Sequence, residues 1–177
     1  ISPDRSAVLP TNLENRFYRE FYSLLKNQLF DPRNLHAQHV ADFILERTDV
    51  SEVFFSHLNN DRSMIKRVIE ALIWLFKAYD LALKRDNLID FDDQKLRAHI
   101  SLRDAPQLLA SVQSQFAEVI IDEFQDINTL DFEFIKALAA KSSLMVTGDD
   151  DQAIYGFRGC SPDYLIDLEN HLGRQVV

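Results

Sequence analysis

Glycine is scarce in this 177-residue chain: the four are Gly148, Gly156, Gly159 and Gly173. They cannot supply a Gly-x-x-x-x-Gly-Lys-Ser/Thr stretch, so no backbone loop of the kind that cradles nucleotide phosphates is encoded here. Cysteine is scarcer still. Cys160 stands alone, which excludes an internal disulfide and fits a reducing, cytoplasmic setting. Long apolar runs are absent too: Ala71 to Phe76 and Val119 to Ile121 fall far below the ~20 residues of a spanning helix. The start shows no cationic segment followed by an apolar one. The expectation is a soluble chain, neither secreted nor membrane-spanning. Ile1 to Pro10 carry two prolines, no periodicity and no initiator methionine, as expected of a piece of a longer protein.

Positive charge is in short supply, and unevenly so. Residues 1–115 hold 15 Lys/Arg against 16 Asp/Glu, whereas residues 116–177 hold 4 against 12, for an overall net charge of −9. That balance excludes a protein that grips nucleic acid by bulk electrostatics, because neutralising phosphates takes clustered Lys and Arg. Any such contact must be local or must use other parts.

What the chain does contain begins with helices. Thr11-Asn-Leu-Glu14 reads as a capping box before Phe17, Phe21, Leu24 and Leu25. Asp31-Pro32 predicts a second helix, running through Val40, Phe43 and Ile44, and a short segment follows at Val53 to Leu58. The longest helical pattern spans Asp61 to Arg85, with Met64, Val68, Leu72, Leu75, Phe76, Tyr79 and Leu83 at three- and four-residue steps. Asp90 is placed to cap a helix through Leu96 and His99, with Asp92 and Asp93 favourable in its first turn. Asp104-Ala-Pro106 opens another. Phe17, Phe21, Trp74, Phe76 and Tyr79 are expected on core faces. Lys66-Arg67 and Lys84-Arg85 read as solvated pairs, and His36 with His39 as a surface pair without a third metal ligand.

From Phe116 the pattern changes. Glu118-Val-Ile-Ile121 is a β-branched run too short for a helix and is expected to be a strand buried on both faces. An amphipathic helix from Asn128 follows, with Phe132, Ile135, Leu138 and Ala139 on one side, then a second strand over Ser143 to Thr147. Such a strand-helix-strand unit forces a parallel crossover. Ser161-Pro162 predicts a further helix to His171, and Arg174 to Val177 the start of a third strand.

Both strands end in carboxylates. Transfer of a nucleotide phosphoryl group needs a divalent cation on the phosphate oxygens and a group that orients or deprotonates water. Asp122 and Glu123, adjacent at a strand end, can divide those tasks. The second strand leads through Thr147-Gly148-Asp149 to Gln152, whose amide can donate to a phosphate. Tyr155 and Phe157, two apart and beside Arg158, suit stacking on unpaired bases, or else pack their own loop.

Ile120-Ile-Asp-Glu-Phe-Gln-Asp126 resembles the Walker B signature, motif II, of UvrD/Rep/PcrA-type superfamily 1 DNA helicases. Val146 to Gly159 resembles their motif III, and Leu88-Ile-Asp-Phe-Asp-Asp93 the segment by which their helical insertion returns to the ATPase domain. The resemblance implies an α/β fold: a mostly helical lobe, the helical insertion, at 1–115, and at 116–177 the C-terminal half of a RecA-like P-loop NTPase domain with parallel strands. It implies Mg²⁺ on Asp122, Glu123 as catalytic base, and ATP contacts from Asp149 and Gln152, with Gln152 also catalytic at the γ-phosphate. Single-stranded DNA would be met by Tyr155, Phe157 and Arg158. Ala153 stands where the family commonly has Ser, and Phe157 where it has Trp. The partners implied are single-stranded DNA and the rest of a helicase chain, namely its Walker A segment and second motor domain. The expected parent is an ATP-dependent helicase or translocase of 3′ to 5′ polarity, with the piece itself inert. Two readings stay open beside it: an ATPase switch or nuclease-coupled motor, and a catalytically dead binding module.

Overall fold

Spacing of the apolar residues decides how the first helices pack in this computed structural model, which describes residues 12–59, 61–153 and 159–173. Helix α1 (Asn12–Asn27) turns Phe21, Leu24 and Leu25 inward on one stripe. They meet Val40, Ala41 and Ile44 of α2 (Ala37–Glu46) and Val50, Phe54 and Phe55 of α3 (Thr48–Phe55). Phe21 and Phe54 meet edge to face, with ring centroids 5.5 Å apart, the arrangement that aromatic quadrupoles favour. Thr11, the expected cap of α1, lies outside the described residues.

The 24-residue helix α4 (Arg62–Arg85) closes this core. Asp61 caps it, its carboxylate accepting from the Ser63 and Met64 N–H groups at 2.9 and 3.1 Å. Its buried stripe is Ile65, Ile69, Leu72, Ile73 and Phe76. Trp74 departs from expectation, being 73% exposed. It lies two positions from both Leu72 and Phe76, about 200° around the helix from each. Met64 and Leu75 are also exposed. Two shorter expectations are corrected as well. Pro32 opens only a 3₁₀ turn (Pro32–Asn34), capped by Asp31, and the helix proper starts at Ala37. The segment near Val53 belongs to α3 and a following 3₁₀ turn, Ser56–Leu58.

Helix α5 (Phe91–Asp104) starts with a reciprocal capping box: Asp93 N–H donates to Asp90 Oδ1 at 2.8 Å, and Asp90 N–H to Asp93 Oδ2 at 3.4 Å. Both carboxylates also hold Lys26, which is 1% exposed, with Nζ 2.5 Å from Asp90 Oδ2 and 2.9 Å from Asp93 Oδ1. The ammonium stands over the rings of Phe76 and Tyr79 at 5.7 and 5.5 Å, so one cation ties α1, α4 and α5 together. Burial by itself would raise the Asp90 pKa. Lys26, the Asp93 N–H and the Tyr79 hydroxyl outweigh it, and the carboxyl sits below its ordinary value.

Helix α6 (Pro106–Gln113) leads into strand β1 (Glu118–Ile121), then helix α7 (Thr129–Leu138) and strand β2 (Ser143–Val146). The two strands pair in parallel, Glu118 opposite Ser143 through Ile121 opposite Val146. Ile121, Leu144 and Val146 face a second core of Phe124, Ile127, Phe132, Ile135 and Leu168. The opposite face is open: Ile120 is 61% and Met145 52% exposed. Burial on both faces, expected from the apolar run, is therefore not found among the described residues, because α7 and its neighbours cover one side only. The last helical stretch is broken in two, α8 (Asp163–Ile166) and α9 (Leu168–Leu172). The expected strand at Arg174 to Val177 lies outside the described residues. No helix among those described is long and apolar enough to cross a membrane.

Candidate active site

Parallel pairing brings the C-terminal ends of β1 and β2 out side by side. The ladder continues one step past them, with Thr147 N–H donating to the Ile121 carbonyl and Phe124 N–H to the Thr147 carbonyl, each at 2.9 Å. Asp122 is thereby set against Thr147. The Thr147 hydroxyl donates a short hydrogen bond to Asp122 Oδ1, and the Glu123 N–H donates to the same oxygen at 3.0 Å. The hydroxyl, and then the amide, lower the Asp122 pKa, so this exposed side chain is a carboxylate at neutral pH.

Glu123 occupies the left-handed region, at φ 53° and ψ 44°. For a side chain with a Cβ that conformation costs about 1–2 kcal/mol. The turn it makes is held from below by Gln125, which is 2% exposed. Gln125 Nε2 donates to Glu123 Oε2 at 2.6 Å, and Gln125 Oε1 accepts from the Asp149 N–H at 3.0 Å. Gly148 makes room for that amide. A Cβ there would lie 2.6 Å from Gln125 Oε1 and 3.1 Å from Phe124 N.

Asp149 caps the 3₁₀ turn Asp150–Gln152, with Oδ1 accepting from the Asp151 N–H at 3.1 Å and Oδ2 from Gln152 Nε2 at 2.6 Å. One hydrogen-bonded path therefore runs from Thr147 and Asp122 through Glu123 and Gln125 to Asp149 and Gln152. Four residues singled out from the sequence, Asp122, Glu123, Asp149 and Gln152, fall on it. Tyr155, Phe157 and Arg158 lie outside the described residues. Thr147 and Gln125 are the members that sequence reasoning passed over, and only Gln125 left a trace: an amide in an otherwise acidic turn.

Among the described residues no group of three or more His, Cys, Asp and Glu is arranged to hold a metal. A single exposed carboxylate still fits Mg²⁺, which keeps several waters and takes one or two carboxylates plus phosphate oxygens. The strand ends are open to solvent. A concavity of about 790 Å³ lies elsewhere, lined by Arg16, Arg19, Asn27, Lys95, Asp126 and Cys160 among others, without Asp122 or Glu123.

The family described as the UvrD/REP helicase N-terminal domain matches residues 4–173. This chain belongs to that family. The match takes in the helical elements and the strand pair alike. The putative ATP-dependent DNA helicase YjcD of Bacillus subtilis is 34% identical over 116 residues, 64% of this chain and 15% of that protein. DNA helicase II of Escherichia coli is 40% identical over 86 residues, 48% of this chain and 12% of that protein. The ATP-dependent DNA helicase Rep of Escherichia coli is 37% identical over 89 residues, 50% of this chain and 13% of that protein. The chain thus spans roughly an eighth of the length of these UvrD/REP relatives.

Proposed function

We propose that this chain is part of an ATP-dependent DNA helicase that couples ATP hydrolysis to 3′ to 5′ movement on single-stranded DNA in the cytoplasm. Residues 1–115 correspond to the helical insertion and 116–177 to the C-terminal half of a RecA-like ATPase domain. The observation that carries the reading is the hydrogen-bonded path joining the carboxylates of β1 to the Asp149–Gln152 turn after β2. Asp122, ionised by its Thr147 and Glu123 partners, is the residue that would hold Mg²⁺. Bound there, the ion would supply charge neutralisation to the phosphate groups of ATP.

The remaining work belongs to the side chains. Glu123 receives the proton of the attacking water, and Gln125 fixes the carboxylate in place for that task. Gln152 is held on Asp149, and exchanging that carboxylate for a phosphate oxygen makes its amide a reporter of the nucleotide. Because Asp149 also bonds to Gln125, a shift of Gln152 reaches Glu123 through three hydrogen bonds. Tyr155, Phe157 and Arg158 follow directly in sequence and are assigned to single-stranded DNA. The chain contains no phosphate loop, so hydrolysis requires the Walker A segment and second motor domain of a longer protein, and this piece alone is inert.

The test is Glu123→Gln in the full-length protein. Hydrolysis should fall to background while ATP binding is retained; full turnover would remove Glu123 from the role of base.

A further inference from the structure

Helix α1 ends where the helical elements meet the strand unit. Gln28, the first residue beyond it, places its side-chain amide between two segments distant in sequence. Nε2 donates to the Gly159 carbonyl at 2.9 Å, and Oε1 accepts from Thr129 Oγ1 at 2.8 Å. Thr129 is the first residue of α7, a few positions beyond the Asp122–Gln125 turn. Gly159 lies beyond the turn that holds Gln152. A single amide therefore touches the far ends of the two segments that leave the candidate nucleotide site.

The fit is close on each side. Gly159 has φ +80°, and a Cβ there would stand 2.3 Å from Gln28 Nε2 and 3.1 Å from Leu24 Cδ1. Glycine at 159 is thus required both by its own backbone and by the approach of α1. On the other side, Thr129 Oγ1 also accepts from the Tyr164 hydroxyl at 3.0 Å, which leaves its proton for Gln28. The two segments are joined beneath Gln28 as well. Ser161 N–H donates to the Ile127 carbonyl at 3.3 Å, and Cys160 Sγ to the Asp126 carbonyl at 2.8 Å.

We propose that Gln28 is a positioning residue that couples the helical elements to the nucleotide site, by sensing residue 159 with its donor end and residue 129 with its acceptor end. This rests on the helicase reading given above. An amide has two unlike ends, so its orientation is fixed only while both partners are in place. A displacement of the 159 side by single-stranded DNA frees the amide to rotate, and the bond to Thr129 at the head of α7 is lost with it. Glutamate has the same shape but two acceptor ends. It keeps the Thr129 bond and sets an oxygen against the Gly159 carbonyl, which isolates the coupling from the packing.

The experiment is ATP turnover by the full-length protein, with and without saturating single-stranded DNA, for wild type, Gln28→Glu and Thr129→Val. In Gln28→Glu the DNA-stimulated kcat should fall about tenfold, within the usual span of coupling between sites. DNA-free turnover and the KM for ATP should remain unchanged. Thr129→Val retains the Gly159 bond and a β-branched shape, and should lose a smaller part of the stimulation. Undiminished stimulation in both variants overturns the proposal, as does an equal fall in DNA-free and stimulated turnover, which would mark a merely structural residue. A wild-type protein without DNA-stimulated turnover removes the helicase reading itself, and that outcome is read from the wild type alone.

Discussion

The helical region and the strand region are built on different principles. Among the described residues the first core gathers sixteen buried side chains from α1 to α4 and the loop before α2, with phenylalanine and tyrosine rings in contact throughout. The second gathers five, and the sheet they support is covered on one face. The candidate active site stands on the second. Its order comes from hydrogen bonds: Thr147 to Asp122, Gln125 between Glu123 and Asp149, Gln28 between Thr129 and Gly159. Bonds of that kind contribute about 0.5–1.5 kcal/mol net each, so the site can rearrange while the helical core keeps its shape. Rigid packing supplies the frame, and exchangeable polar links supply the response.

Three substitutions in this chain probe that contrast, in decreasing order of effect. Lys26→Met removes a buried cation of the helical region and leaves Asp93, with a side chain 3% exposed, facing only Arg97 at 3.2 Å. A loss of about 3 kcal/mol, the lower end for a broken buried ion pair because Arg97 still faces Asp93, is expected, measured as a lower midpoint in urea. The pH dependence should change with it. Because the folded Asp90 pKa is depressed, its contribution to stability is complete above the unfolded value of about 3.9 and is lost as pH falls through the lower folded value. Acid unfolding of Lys26→Met should show a smaller component, since only the Asp93 N–H and the Tyr79 hydroxyl then remain on Asp90; an unchanged acid profile would show that the pair contributes nothing. Gly148→Ala acts on the strand region, forcing a methyl against Gln125 Oε1 and the Phe124 amide. The expected cost is about 1–3 kcal/mol, as for overpacking, with the Asp149 amide losing protection from hydrogen exchange. Retained protection there would break the claim that Gln125 organises the site. Trp74→Ala removes the largest exposed ring and should shift stability by no more than about 0.5 kcal/mol. A larger loss would place Trp74 in the helical core after all.

Much of the frame was legible in the residues. The helices expected from Asp61 and Asn128 and the cap expected at Asp90 are found, and each of the three side chains accepts a backbone bond from the first turn. The parallel pair at 118–121 and 143–146 followed from a β-branched run, an amphipathic helix and a second short apolar segment in that order. Trp74 was misplaced because α4 carries apolar residues on more than one side, and periodicity alone cannot say which side faces α1. The buried Lys26 left a fainter sign, a lone cation following Leu24 and Leu25, and only the fold reveals the two carboxylates that receive it. In the site, Asp122, Glu123, Asp149 and Gln152 could be singled out because their chemistry is local to each strand end. Thr147, Gln125 and Gln28 could not, since each acts across a gap that closes only when the strands pair and α1 packs beside them.

The most direct test is ATP hydrolysis by the full-length protein with Mg²⁺, with and without single-stranded DNA, beside the same assay on this chain alone. Strong stimulation by DNA in the full-length protein and no turnover from the isolated chain is the predicted result. A full-length protein that hydrolyses no ATP under either condition would contradict the assignment of Asp122, Glu123 and Gln152 to a working nucleotide site.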